Sequence, residues 1–108
     1  MAENPKNTIR VLAKAGADGV VDVKALINHP MDSGLLKDSS GKLIPAHYIK
    51  TITFKYDGKV VFAAQWSRAV SKDPFIGFRF SGGAKGGKID VNWVDNEGMS
   101  DSTTAVIR

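Results

Sequence analysis

The 108-residue chain carries 15 Lys and Arg against 11 Asp and Glu, for a formal net charge of +4, and has no cysteine. That length suits one domain, residues 1–108, able to bury a core without disulfides or metal, and the missing thiols exclude a disulfide scaffold, a thiolate metal site and a cysteine nucleophile. The charge excess is mild and its lysines are scattered from Lys6 to Lys88, which reads as a solvated surface, with an acidic partner or an anionic ligand as the remaining use for it.

In chain order, Met1 to Asn7 is polar, contains Pro5 and reads as a loose lead-in. The stretch MAENPKNTIRVLAKA lacks a basic region followed by an apolar run, and no apolar run reaches the roughly 18 residues of a membrane span. On these residues alone the expected place is the cytoplasm, away from any membrane. Ile9 to Ala15 alternates, with Ile9, Val11 and Ala13 on one side and Arg10 and Lys14 on the other, as a half-buried strand does. After a turn at Gly16 to Gly19, VVDVKALIN places Val21, Val23, Ala25 and Ile27 on one face, with Leu26 breaking the pattern. The two strands form an antiparallel pair. His29 to Gly41 has no period of two and is dense in turn formers, a loop of a length that usually carries a task.

His47 to Trp66, HYIKTITFKYDGKVVFAAQW, is the central hairpin, because Asp57-Gly58 between two apolar runs is a strong two-residue turn signal. With that turn Tyr56 faces Lys59, so Phe54 pairs with Val61 and Ile52 with Ala63 on one face. The opposite face then carries Thr51, Thr53 and Lys55 beside Val60, Phe62, Ala64 and Trp66, too apolar to meet only water; a longer loop would shift the parity. SRAVSKDP is a second irregular connection, and FIGFRF a strand with Ile76, Phe78 and Phe80 together. A glycine-rich hairpin turn follows at Ser81 to Gly87. Lys88 to Val94 places Ile89, Val91 and Trp93 in the core, and Ser102 to Ile107 is the last strand. About seven short strands at such turn spacings predict an all-β sandwich without helices.

Few of the motifs carry chemistry. GGAKGGK at Gly82 to Lys88 has the spacing of a phosphate loop, but Ile89 stands where Ser or Thr would ligate magnesium and a strand follows where a helix is needed. His29 and His47, with Met1, Met31 and Met99, are the only soft or borderline metal ligands, and a copper carrier using His29, Met31 and His47 is the alternative reading. The simpler reading packs His29 in its loop and lets His47 cap a strand. The aspartates, Asp95 among them, fall in turns where local hydrogen bonds favour them, and no acid, base and nucleophile constellation is visible. No enzyme activity, cofactor or metal is therefore expected. Nor does any strand carry the aromatic run that nucleic-acid binding needs, although Lys50 and Lys55 lie near Phe62 and Trp66.

The segments VVDVKALINHPMDSG, GKLIPAHYIKTIT, AAQWSRAVSKDPFIGFRF and DVNWVDNEG closely resemble SoxZ, a family of subunits of the SoxYZ carrier in bacterial thiosulfate oxidation. The resemblance covers nearly the whole chain and includes the loop sequences HPM and VSKDPF. It implies an immunoglobulin-like β-sandwich and a non-catalytic subunit of a heterodimer with SoxY, whose terminal cysteine holds covalent sulfur intermediates. It also implies transient contacts with the cytochrome, hydrolase and dehydrogenase components of the system. The implied location is the periplasm, reached folded and together with a signal-bearing partner. The expected partner interface is Val60, Phe62, Trp66, Thr53 and Lys55. The expected docking loops are His29, Pro30 and Met31, with Lys72, Asp73 and Pro74.

Overall fold

A computed structural model describes residues 4–108; Met1 and the start of the lead-in lie outside the described residues. Seven strands follow in order, β1 (Ile9–Ala15), β2 (Val20–Ile27), β3 (Ile49–Tyr56), β4 (Lys59–Gln65), β5 (Phe75–Ser81), β6 (Lys88–Asp95) and β7 (Ser100–Val106). They build two antiparallel sheets, β1-β2-β5 and β4-β3-β6-β7, an immunoglobulin-like sandwich. Among the described residues no helix is long and apolar enough to cross a membrane.

Period-two patterning sets the core. Val21, Val23 and Ile27 of β2 and Ile89 and Trp93 of β6 are fully buried between the sheets. Each intervening residue of β6 is exposed, so a one-residue slip would turn the whole row into water. Trp93 also needs a partner for its indole N–H in that dry interior. It donates to Thr8 Oγ1 at 2.9 Å, and the Thr8 hydroxyl donates in turn to Asp101 Oδ2 at 2.7 Å. Asn4 Oδ1 accepts the Ser100 N–H, so the described part of the lead-in is tied to β7.

The hairpin turn is of type I′, with Asp57 and Gly58 both at positive φ (52° and 78°) and Tyr56 opposite Lys59 as expected. The register beyond it differs from expectation. A β-bulge at Val61 makes Val60 and Phe62 pair with successive residues Lys55 and Phe54, so Ile52 faces Ala64. Phe62 and Ala64 therefore point inward with Phe54 and Ile52, while Val60 stays outside with Lys55. The glycine-rich turn at residues 82–87 is likewise no hairpin: it carries the chain from β5 in one sheet to β6 in the other. A Cβ on Gly83 would stand 2.4 Å from Val21 Cγ2, so only glycine passes there.

The two flanks of the sandwich close differently. Beside β1 and β7, Ala15 N–H bonds Arg108 O at 2.8 Å and Arg108 N–H bonds Ala13 O at 2.9 Å, stitching one sheet to the other. Between β4 and β5 no such backbone bond occurs among the described residues.

Candidate functional site

On the β4 and β5 flank the core is unsealed. Ile76, Phe78 and Phe80 of β5 and Phe62, Ala64 and Trp66 on β4 and just beyond it all point inward, yet all remain half-buried. The cause is topological, since β4 and β5 are edge strands of different sheets. Phe62 and Phe78 stack across the opening with centroids 4.7 Å apart and planes 15° apart, and Phe54 meets Phe78 edge-on at 4.9 Å. Tyr56 and Phe80 extend the row at 5.4 Å. Two unpaired strand edges flanking a half-wet aromatic row form a surface that a second protein can complete, by burial and by backbone pairing together.

One end of the sandwich gathers the long connections. The β2–β3 connection folds back as a tongue: Asp32 and His47 exchange backbone hydrogen bonds of 2.7 and 2.9 Å at its root, and Ile44 N–H reaches Leu36 O at 2.8 Å farther out. Leu35, Leu36 and Leu43 stand on it largely exposed. At its tip the Ser40 hydroxyl and the Lys42 N–H both reach the Asp38 carboxylate and hold its pKa below the usual carboxylate range. The β4–β5 loop joins this end through Asp73 N–H to His29 O and His29 N–H to Asp73 Oδ1, both 3.0 Å.

The tongue's root is pinned by one carboxylate. Asp95, wholly buried at the end of β6, accepts at Oδ2 from His29 Nε2 (3.2 Å) and His47 Nε2 (2.7 Å), and at Oδ1 from the N–H groups of Glu97 (3.0 Å) and Met99 (2.9 Å). His47 Nδ1 lies 3.2 Å from Glu97 Oε2. Burial alone would raise the Asp95 pKa, but the bonds from His29, His47, Met99 and Glu97 outweigh it and hold the group below its ordinary value. His29, nearly buried and edge-on to Trp93, moves below its ordinary value as well, chiefly because burial disfavours its charged form.

These donors also form a candidate metal set, with one ligand atom each from His29, His47 and Asp95 within 4.8 Å of one another. The hydrogen bonds argue against it. Met31 N–H donates to His29 Nδ1 at 3.1 Å, so that nitrogen keeps its lone pair and the proton sits on Nε2. A metal at Nε2 would force the proton onto Nδ1, against the Met31 N–H. The Met31 thioether is engaged too, accepting the Ile49 N–H at 3.3 Å. The cluster is a hydrogen-bonded pin.

A pH dependence follows. Protonating His29 would put a donor at Nδ1 facing the Met31 N–H, so the folded chain binds that proton less readily than the unfolded chain. Stability from this group is complete above the unfolded pKa near 6.5 and declines as pH falls below it, by at most ~1.4 kcal/mol per pH unit. Asp95, ionised in both states there, adds no slope until far lower pH. Urea denaturation at intervals between pH 7.5 and about 5 should show this decline. His29→Gln should be less stable at neutral pH and lose that part of the slope; an unchanged slope would remove His29 from the explanation.

The expected interface residues fall in two places. Phe62 and Trp66 lie on the open flank, whereas Thr53, Lys55 and Val60 lie on the outer face of the larger sheet, where Thr53 and Lys55 line a shallow polar groove with Asp90, Asn92, Ser102 and Thr104. The expected docking loops do meet, but His29, Met31 and Pro74 are buried, which leaves Pro30, Lys72 and Asp73 exposed. Asp95 was missed as a hub. Its signal was present, because the alternation Ile89, Val91, Trp93 continues to Asp95, and Val21 to Ile27 continues to His29.

The fold and site define a small immunoglobulin-like sandwich with an open aromatic flank and a pinned loop end. A family profile described as "Sulphur oxidation protein SoxZ" matches residues 9–106. The chain belongs to the SoxZ family, and so to the subunits of sulfur oxidation, which implies a partner within that system such as SoxY. No curated protein matches. Among solved structures it is similar to the superoxide reductase (neelaredoxin) T24K from Ignicoccus hospitalis, with 15% identity over 94% of this chain and 78% of that one, TM-score 0.63. It is also similar to that from Archaeoglobus fulgidus in the reduced form, with 21% identity over 95% and 89%, TM-score 0.61. At these identities the likeness shows the fold alone.

Proposed function

We propose that this chain is the non-catalytic subunit of a SoxYZ-type sulfur-carrier heterodimer, supporting a partner whose terminal cysteine holds the covalent sulfur intermediates. The observation that carries this reading is the open flank between β4 and β5, on a chain whose family works in sulfur oxidation. With no cysteine of its own, the chain leaves the covalent link to the partner. Its part is to hold that partner and to present the assembly to the components that act on the sulfur. The flank around Phe62, Phe78 and Trp66 seats the cysteine-bearing subunit. Pro30, Lys72 and Asp73, together with the tongue, face visiting components, and the assembly works in the periplasm after export with its signal-bearing partner.

The test is the native mass and subunit composition of the protein purified from its own host. The expected result is a one-to-one complex with a second small chain bearing a terminal cysteine, recovered from the periplasmic fraction. A lone monomer or a homo-oligomer would sink the carrier reading, and recovery from the cytoplasm would sink the location.

A further inference from the structure

The outer face of the sheet β1-β2-β5 is lopsided in charge and carries large exposed apolar side chains. Its strand register arranges nine outward positions as three rows of cross-strand neighbours: Arg10, Leu26 and Phe75; Leu12, Lys24 and Gly77; Lys14, Asp22 and Arg79. Four cations thus stand against one carboxylate, on a chain whose whole net charge is +4. None of the four pairs with a carboxylate within 4.0 Å among the described residues. Arg108 extends the basic side beside Lys14 and Lys24, while Asp73 near Arg10 and Leu26 and Asp18 beside Lys14 and Arg79 are the acidic groups at the two ends, so with them the face still carries five cations against three carboxylates. Through this field runs a diagonal apolar stripe of Leu12, Leu26 and Phe75, exposed by 59%, 43% and 64%. Leu26 and Phe75 are direct cross-strand neighbours and Leu12 is diagonal to Leu26, close enough for their side chains to form one strip. The outer face of the larger sheet is more evenly mixed: Lys55, Lys88 and Asp90 stand among Thr51, Thr53, Asn92, Ser102 and Thr104, and its exposed valines, Val60, Val94 and Val106, lie on different strands.

We infer that the outer face of β1-β2-β5 is a docking surface for a protein that presents an apolar ridge flanked by carboxylates. Charge complementarity selects the acidic partner, and the stripe selects a protein over a nucleic acid, whose phosphates would meet Leu12, Leu26 and Phe75 with nothing apolar to cover them. Unpaired surface cations around a small apolar centre favour fast, salt-sensitive and reversible encounters over permanent assembly. The face is separate from the open flank, which uses the inner side and free edge of β5, so both can be occupied at once. The inference rests on the carrier reading only in making the visitor a component that acts on the carried sulfur; the surface chemistry stands without it.

The probe is a synthetic peptide of alternating Glu and Leu, titrated into the isotope-labelled full chain and followed by amide chemical shifts. Vesicles containing phosphatidylglycerol and a short DNA duplex are run alongside. The expected result is shift changes along Arg10 to Lys14, Lys24 to Leu26 and Phe75 to Arg79, with affinity falling about tenfold or more between ~0.05 and ~0.3 M salt. Lys24→Glu with Arg79→Glu should abolish binding while leaving the remaining amide spectrum intact, and Leu26→Ser should weaken it at any salt. Shifts confined to another surface, or peptide binding indifferent to the charge reversal, would overturn the inference. So would vesicles or DNA binding this face more tightly than the peptide, which would make it a membrane or nucleic-acid surface. Because the titration uses the single chain, its outcome is independent of whether the heterodimer forms.

Discussion

Asp95→Ala should lower the unfolding free energy by about 3–5 kcal/mol, the range for removing one partner of a buried, hydrogen-bonded charge cluster. In a domain of this length that is a fall on the order of 15–30 °C in thermal midpoint. The single substitution strands four donors: the Nε2–H groups of His29 and His47 and the N–H groups of Glu97 and Met99. His29 and the carboxylate are buried, so water cannot replace the lost acceptor without opening the loop end. Asp95→Asn should recover little of this, since an amide placed to accept from Glu97 and Met99 turns its NH2 toward two imidazole donors. A double-mutant cycle isolates the pin. His29→Ala added to Asp95→Ala should cost far less than His29→Ala alone, because the bond it removes is already gone. Additive costs, or a loss under ~1 kcal/mol for Asp95→Ala, would mean that the carboxylate does not hold this end together.

Most of the fold was legible because a half-buried strand writes its geometry into alternate residues. Val21, Val23, Ala25 and Ile27, and Ile89, Val91 and Trp93, name both the strands and their inner faces, and Asp57-Gly58 names the turn type. The bulge at Val61 was hidden, since an extra residue in one strand leaves no mark of its own among Lys59, Val60, Val61 and Phe62, all compatible with either parity. That single residue moved Phe62 and Ala64 from the outer face to the inner one, and with them the expected interface. The pin was hidden for a different reason. Asp95 stands in DNEG, where the local preference for a turn explains an aspartate fully, and its histidines lie 66 and 48 residues away. Only the continued alternation through Trp93 to Asp95 separates a buried carboxylate from an ordinary turn residue.

Phe62→Ala should weaken the complex with the cysteine-bearing subunit by at least about thirtyfold, the ~2 kcal/mol or more of an aromatic anchor at an interface centre. Phe62 stacks on Phe78 at 4.7 Å and meets Phe54 at 6.0 Å yet stays only half-buried, so in the free chain part of the ring is covered and part is exposed. Truncation costs the isolated chain only the covered part. The complex loses in addition the face that the partner covers, and the gap left beside Phe78 and Trp66 on the same flank. The discriminating measurement therefore has two readouts: the heterodimer's dissociation constant and the isolated chain's denaturation midpoint, measured for Phe62→Ala, Trp66→Ala and Val60→Asp. On the flank reading the first two raise the dissociation constant far more than they lower the midpoint, and Val60→Asp changes neither by much, because Val60 stands on the outer face with Lys55. If Val60→Asp breaks the complex and Phe62→Ala spares it, the partner sits on the outer face of the larger sheet, over Thr53 and Lys55. The half-wet aromatic row would then be only the wet edge of an ordinary sandwich core.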